Sequence, residues 1–152
     1  MSTAQSAQST TLSIDVTTMM IKGVPKRMTR NDLMQELNIS GFQQLYDFCY
    51  LPQDVDSQQH KGYGFVNFVH TWTAQLFRSA WAKRMLTTSS GRSKPVDIVQ
   101  SSVQGLRANM NKWCGPRTHS IRDPAQKPFL SPLSPTADTK QVLQAQRAVA
   151  EG

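Results

Sequence analysis

The sequence predicts an α+β fold: a four-stranded antiparallel sheet with two helices on one face. Three observations carry this. Runs rich in β-branched and aromatic residues at 17–24, 45–51, 62–69 and 95–99 enclose two segments of helical period, in the order strand, helix, strand, strand, helix, strand. Pro25, Gly41, Pro52 and Ser89-Ser90-Gly91 fall at the junctions. The third run, Lys61-Gly62-Tyr63-Gly64-Phe65-Val66-Asn67-Phe68, is extended, so alternation sends Tyr63, Phe65 and Asn67 to one face and Gly64, Val66 and Phe68 to the other.

Each element has its own reason. Residues 1–16 are rich in Ser, Thr and Gln, with only Leu12, Ile14 and Val16 to bury, and are expected to form a disordered leader. The first strand stops at Pro25, which cannot donate to a ladder. Thr29 can cap a helix over 30–39, with Leu33 and Leu37 as its apolar stripe and Gly41 as its end. The second strand is closed by Pro52 and a polar loop, Gln53 to His60. From Thr71, Ala74, Phe77 and Trp81 recur at helical spacing up to the Ser89-Ser90-Gly91 break, with Trp72 at the boundary of that core face. A short last strand at 95–99 completes the β-α-β-β-α-β order, the ferredoxin-like split arrangement.

A third helix is expected over 102–113, where Val103, Leu106, Met110 and Trp113 share a stripe. This stripe has three possible uses: packing on the domain edge, which is the leading expectation, lying across the sheet, or binding a partner. Pro116, Pro124, Pro128, Pro132 and Pro135 make residues 115–152 a proline-containing disordered tail, with at most a weak terminal helix at 138–150. The chain thus reads as one domain, 17–114, between two tails.

Charge points to the partner. The chain carries a net +7 with pI about 9.8, which suits a polyanion, though a basic surface alone would equally fit an anionic membrane. Twelve Lys and Arg against six Asp and Glu lie between Thr18 and Cys114, so nearly all of that charge belongs to the domain. Cys49 and Cys114 are far apart and have neither Cys-x-x-Cys spacing nor a histidine cluster, which argues for a reduced compartment and against zinc. No apolar run reaches the roughly twenty residues of a membrane span, and no signal-peptide pattern opens the chain. The expectation is a soluble intracellular protein of nucleus or cytoplasm with no membrane role. Paired carboxylates, a phosphate loop and a His-based triad are all missing from the pattern, so neither catalysis nor a cofactor is expected.

Residues 61–68 fit, position for position, the RNP1 octapeptide of RNA recognition motifs. Two further phrases, Tyr46-Asp47-Phe48-Cys49-Tyr50-Leu51-Pro52 and Val103-Gln104-Gly105, with residues 17–25, resemble a narrower branch. This is the C-terminal RNA recognition motif of the Mei-two-like proteins, regulators of meiosis and development. The resemblance implies a non-catalytic single-stranded RNA-binding module. The chain departs from the commoner pattern at Met20, where most such motifs carry an aromatic, at Gly23, where Asn is common, and at Gln100-Ser101 after the last strand.

The candidate site follows from the motif and the alternation. Tyr63 and Phe65 are the primary stacking rings. Met20 offers polarizable sulfur on the same sheet face, and Lys22 and Lys61 flank the rings toward phosphate. Asn67 continues the outward face as a base-edge partner, and Asp97 and Val99 are the outward pair on the last strand if Ile98 is core. Phe48 and Tyr50 share one face and Cys49 and Leu51 the other; alternation does not say which pair is buried, so Tyr50 is either a third ring or core. Lys26, Arg27 and Arg30 around the first turn, with Arg92 and Lys94 before the last strand, extend the basic rim. The competing reading is a protein-interaction motif using Met20, the third helix or the tail; a single-stranded DNA binder is the third.

Overall fold

The computed structural model describes residues 16–131 apart from 55, 58, 88–93 and 117–120. The sequence-expected leader up to residue 15, the Ser89-Ser90-Gly91 break, Arg92 and the helix at 138–150 lie outside the described residues. Among the described residues, eight α-helices and β-strands follow one another: β1 Thr18–Lys22, α1 Arg30–Leu37, β2 Tyr46–Tyr50, β3 Tyr63–Phe68, α2 Thr71–Trp81, β4 Asp97–Gln100, α3 Leu106–Trp113 and β5 Phe129–Leu130. The sheet is antiparallel with order β4-β1-β3-β2-β5. The expected plait is present, with one strand more than the four anticipated.

That extra strand corrects the reading of residues 115–152 as disordered throughout. Phe129 and Leu130 pair with Cys49 and Phe48 of β2, and Leu130 is buried. The prolines do not prevent this, because Pro124 opens a 3-10 turn, Pro124–Gln126, and the strand lies at the sheet edge, where a missing donor costs little. Arg30 reinforces the attachment by donating to the carbonyls of Lys127 at 2.6 Å and Pro124 at 3.3 Å. Arg30 is therefore a tie between α1 and the tail rather than part of a free basic rim. The domain also begins one residue earlier than read, since Val16 is buried in the core.

Alternation does most of the core building. Met19 and Ile21 of β1, Cys49 of β2 with Leu51 just beyond it, Val66 and Phe68 of β3, and Ile98 of β4 point to the helices, where they meet Leu33, Leu37, Ala74, Phe77 and Trp81. Each fully buried large side chain stabilises by roughly 1.5–3 kcal/mol. Phe68, Phe77 and Trp81 stack in a chain with centroids 4.8 and 5.0 Å apart. Thr29 and Asp32 form the reciprocal capping box at the start of α1.

Several boundaries shift for local reasons. Helix α1 gives way at Leu37 to a wider turn, Asn38–Phe42. Helix α2 ends at Trp81, because Ala82 is extended and Lys83 adopts a left-handed φ of 64°. Helix α3 starts at Leu106 rather than residue 102, since the side chain of Gln104 takes up backbone groups of Thr17 and Thr18 before the first helical turn. Trp72, placed at the core boundary by its spacing, is 59% exposed.

Candidate nucleic-acid interface

The strand register assembles the outward face of the sheet into rows. Tyr50, Phe65, Met20 and Val99 stand opposite one another across β2, β3, β1 and β4, and Tyr63, Lys22 and Asp97 form the next row. A third row joins Phe48, Asn67 and Thr18. Tyr63 and Phe65 meet edge to face at 5.7 Å. Both rings remain partly accessible, as do Met20 and Val99, while Lys22, Lys61 and Asp97 are exposed. The open half of the sheet is thus an apolar floor bordered by cations.

Glycine spacing makes this strand possible. A Cβ on Gly64 would lie 2.6 Å from Leu51 Cδ2 and 3.3 Å from the Tyr50 carbonyl, so only hydrogen fits between β3 and the core beneath. Gly62, at φ +93°, turns its carbonyl to receive the amides of Gly23 and Val24 at 3.0 and 2.9 Å, which locks the entry of β3 against the end of β1. His60 completes that lock. Its Nδ1 accepts the Gly62 N–H at 3.0 Å, so the ring proton sits on Nε2, 2.7 Å from the Pro25 carbonyl, and burial lowers the imidazole pKa.

The other half of the sheet is covered. Phe48 and Tyr50 do lie on the outward face, but with Leu130 and Leu106 they form a second apolar cluster against which Phe65, Met110, Trp113 and Cys114 pack. Trp113 lies 5.4 Å from Phe65 at an interplanar angle of 32°, and 5.2 Å from Tyr50. The trailing helix therefore lies across the sheet, not along the domain edge as first expected. Tyr50, 6% exposed, is a ring on the right face but beneath α3 rather than open to solvent.

Asn67 is the clearest correction. It points outward as alternation requires, yet it is 2% exposed. Its Oδ1 accepts from the hydroxyls of Thr17 and Thr18 at 2.7 and 2.6 Å, and its Nδ2 donates to Asp47 at 2.7 Å. Thr18 Oγ1 in turn accepts from Asn109 Nδ2 and the Gly105 amide. A buried polar network spends the groups that were expected to read a base.

The basic border is also redistributed. Lys26 and Arg27 are exposed at the turn after β1 and line, with Arg30, Gln53, His60 and Asp123, an open cavity of about 140 Å³. Lys26 Nζ donates to the His60 carbonyl at 3.3 Å, beside the start of β3. Lys94 is exposed. Sequence reasoning missed Lys83, whose ammonium lies 2.9 Å from Asp97 and offsets the repulsion that this carboxylate would exert on phosphate. It also missed Lys112, over the Trp113 ring at 5.0 Å; the helical stripe marked Trp113, but no local pattern tells which surface the stripe meets.

Burial pushes the thiols of both Cys49 and Cys114 up to about 12, so each is a neutral thiol near neutral pH. Among the described residues, no group of three His, Cys, Asp or Glu side chains is placed to hold a metal ion, and no helix is long and apolar enough to cross a membrane.

A plait whose middle strand raises two rings from a glycine-bearing octapeptide has the architecture of an RNA recognition motif. The profile of one such family, RNA recognition motif 2, matches residues 16–113, and the chain belongs to that family. It is 28% identical over 127 residues to Protein MEI2-like 5 of Oryza sativa subsp. japonica, covering 84% of this chain and 15% of that protein. It is likewise 28% identical over 114 residues to Meiosis protein mei2 of Schizosaccharomyces pombe, covering 74% of this chain and 14% of the relative. The chain therefore spans only about a seventh of the length of these relatives. Among solved structures, the N-terminal RNA binding domain of a hypothetical protein superposes with a TM-score of 0.50 at 14% identity, over 62% of this chain and 87% of that one, a likeness of fold.

Proposed function

We propose that this chain is a non-catalytic module that binds single-stranded RNA on the outward face of its sheet, in RNA regulation of the kind suggested by its meiosis-protein relatives. One observation carries the reading: the Val99, Met20, Phe65 row and the Asp97, Lys22, Tyr63 row set two accessible rings and a thioether beside exposed lysines on one continuous surface. Bases stack on Tyr63 and Phe65, while Lys22 and Lys61 neutralise phosphates. Cys49 and Cys114 are free cysteines, which fits the intracellular setting expected from the sequence.

The test is a fluorescence-anisotropy titration with short mixed-sequence RNA. Tyr63→Ala is the cleaner variant, because Phe65 also packs against Trp113 and its replacement would change that contact as well. Removing one stacking ring should weaken binding roughly 5- to 100-fold. Binding unchanged in Tyr63→Ala would exclude the platform.

A protein contact is the second reading, favoured by Trp72 and Leu76, which lie four residues apart on α2 and are 59% and 52% exposed. It differs from the first in salt response, since an apolar contact is nearly insensitive to ionic strength while phosphate contacts are not.

A further inference from the structure

The open half of the sheet ends on a carboxylate. Because Leu106, Met110 and Trp113 pack on the β2 side, against Phe48, Tyr50 and Phe65, the floor left to a base on the other side is Met20 and Val99, which stand opposite each other on β1 and β4. Two residues before Val99, on the same face of β4 and roughly 6–7 Å along the strand, comes Asp97, in register with Lys22. A thioether and an isopropyl group offer a flat ring apolar contact, and the acid borders them.

This carboxylate is positioned but not used up. Lys83 Nζ donates to Asp97 Oδ1 at 2.9 Å, with the two side chains 74% and 58% exposed, so the pair adds little to stability. Backbone geometry nonetheless sets it in place. Lys83 takes a left-handed φ of 64°, uncommon for a non-glycine residue, its amide donates to the Val96 carbonyl, and the Val96 amide donates to the Arg84 carbonyl, both at 2.9 Å. The turn after α2 thus delivers an ammonium to the entry of β4. Oδ1 takes that one bond, and both carboxylate oxygens keep lone pairs for others.

Hydrogen-bond complementarity then selects the base. Two carboxylate oxygens side by side call for two adjacent N–H donors, and among the RNA bases only guanine has them on its Watson–Crick edge, at N1 and N2, with an acceptor, O6, next in line. Adenine and cytosine set a ring-nitrogen acceptor beside their amino group, and uracil flanks its N–H with carbonyls. Each would turn lone pairs toward the acid.

We propose that the Asp97 and Lys83 pair selects guanine over the Met20 and Val99 floor, the carboxylate accepting from N1–H and N2–H and the Lys83 ammonium donating to O6. This rests on the reading of the sheet as an RNA surface. An exposed acid on a face bordered by cations weakens plain attraction for phosphate, so its contribution there is discrimination between bases.

The test is binding of the full chain to short oligouridines that carry one central guanine, adenine, cytosine or inosine, followed by fluorescence anisotropy. The parent should hold the guanine oligomer at least about fivefold more tightly than the adenine, cytosine and all-uridine ones, the lower bound for a bidentate base contact. It should lose part of that preference with inosine, which lacks only the N2 amino group. Asp97→Asn, equal in size but with a donor in place of one acceptor, should bind all of these oligomers alike. A parent that binds without preferring guanine, or that does not distinguish guanine from inosine, or a preference that survives in Asp97→Asn, overturns the guanine assignment and leaves the RNA reading standing. If the parent binds neither these oligomers nor mixed-sequence RNA, the RNA reading itself fails. Should Asp97→Asn not fold, the step from guanine to inosine in the parent decides alone.

Discussion

Asn67 Nδ2 donates to Asp47 Oδ1 at 2.7 Å, and both residues are sealed from solvent under the trailing segment. The pair sits on the face where RNA is expected, but its task is to join β2, β3 and β1 to α3 through Thr18. Asn67→Ala withdraws the partner of two threonine hydroxyls and one of the donors to a buried carboxylate. It should cost about 1–3 kcal/mol, read as a lower urea midpoint, with RNA base preference unchanged in the folded fraction.

Gly64→Ala tests the packing under the stacking strand. The added methyl meets Leu51 and the Tyr50 carbonyl in a region with no slack. Overpacking of this kind should destabilise by about 1–3 kcal/mol, visible in thermal unfolding. A variant as stable as the parent would mean that β3 stands further from the core than described.

Acid should weaken the fold through His60. In the folded chain the ring is neutral and buried, with its pKa lowered by desolvation, whereas in the unfolded chain it takes a proton near pH 6.5. The unfolded state thus binds more protons, so this contribution is complete above about pH 6.5 and is lost as pH falls from there through the folded-state value. Urea midpoints measured across that window should fall with acid in the parent and flatten in His60→Gln.

Salt response reports the basic border. Each phosphate contact to a single strand contributes about 0.7 to the slope of log affinity against log salt. Lys22→Ala and Lys61→Ala should each reduce that slope by about this amount, because both side chains are exposed beside the rings. Arg30→Ala should leave the slope alone and lower the melting temperature, since its guanidinium is spent on the carbonyls of Lys127 and Pro124.

How much of this was legible in the sequence depends on the range of the interaction. Alternation within β3 correctly sent Tyr63 and Phe65 outward and Val66 and Phe68 into the core, because the period of two is a local property of extended backbone. The same rule put Asn67 outward but had no means of showing that Asn109 and Gln104, about forty residues later, cover its row. Phe48 and Tyr50 were ambiguous for a related reason: with Trp113 and Leu130 laid over them, both faces of β2 are apolar, and no alternation survives. β5 was hidden because two residues between prolines carry no periodicity at all; its stability comes from pairing with β2 and from Arg30.

The most direct test is an amide titration of the full chain with short single-stranded RNA, followed residue by residue. The resonances of Met20, Lys22, Tyr63, Phe65 and Val99 should shift most, as a contiguous patch across β4, β1 and β3 on the outward face of the sheet. Shifts confined to the exposed Trp72 and Leu76 side of α2, or none at saturating RNA, would contradict the assignment of this face to RNA.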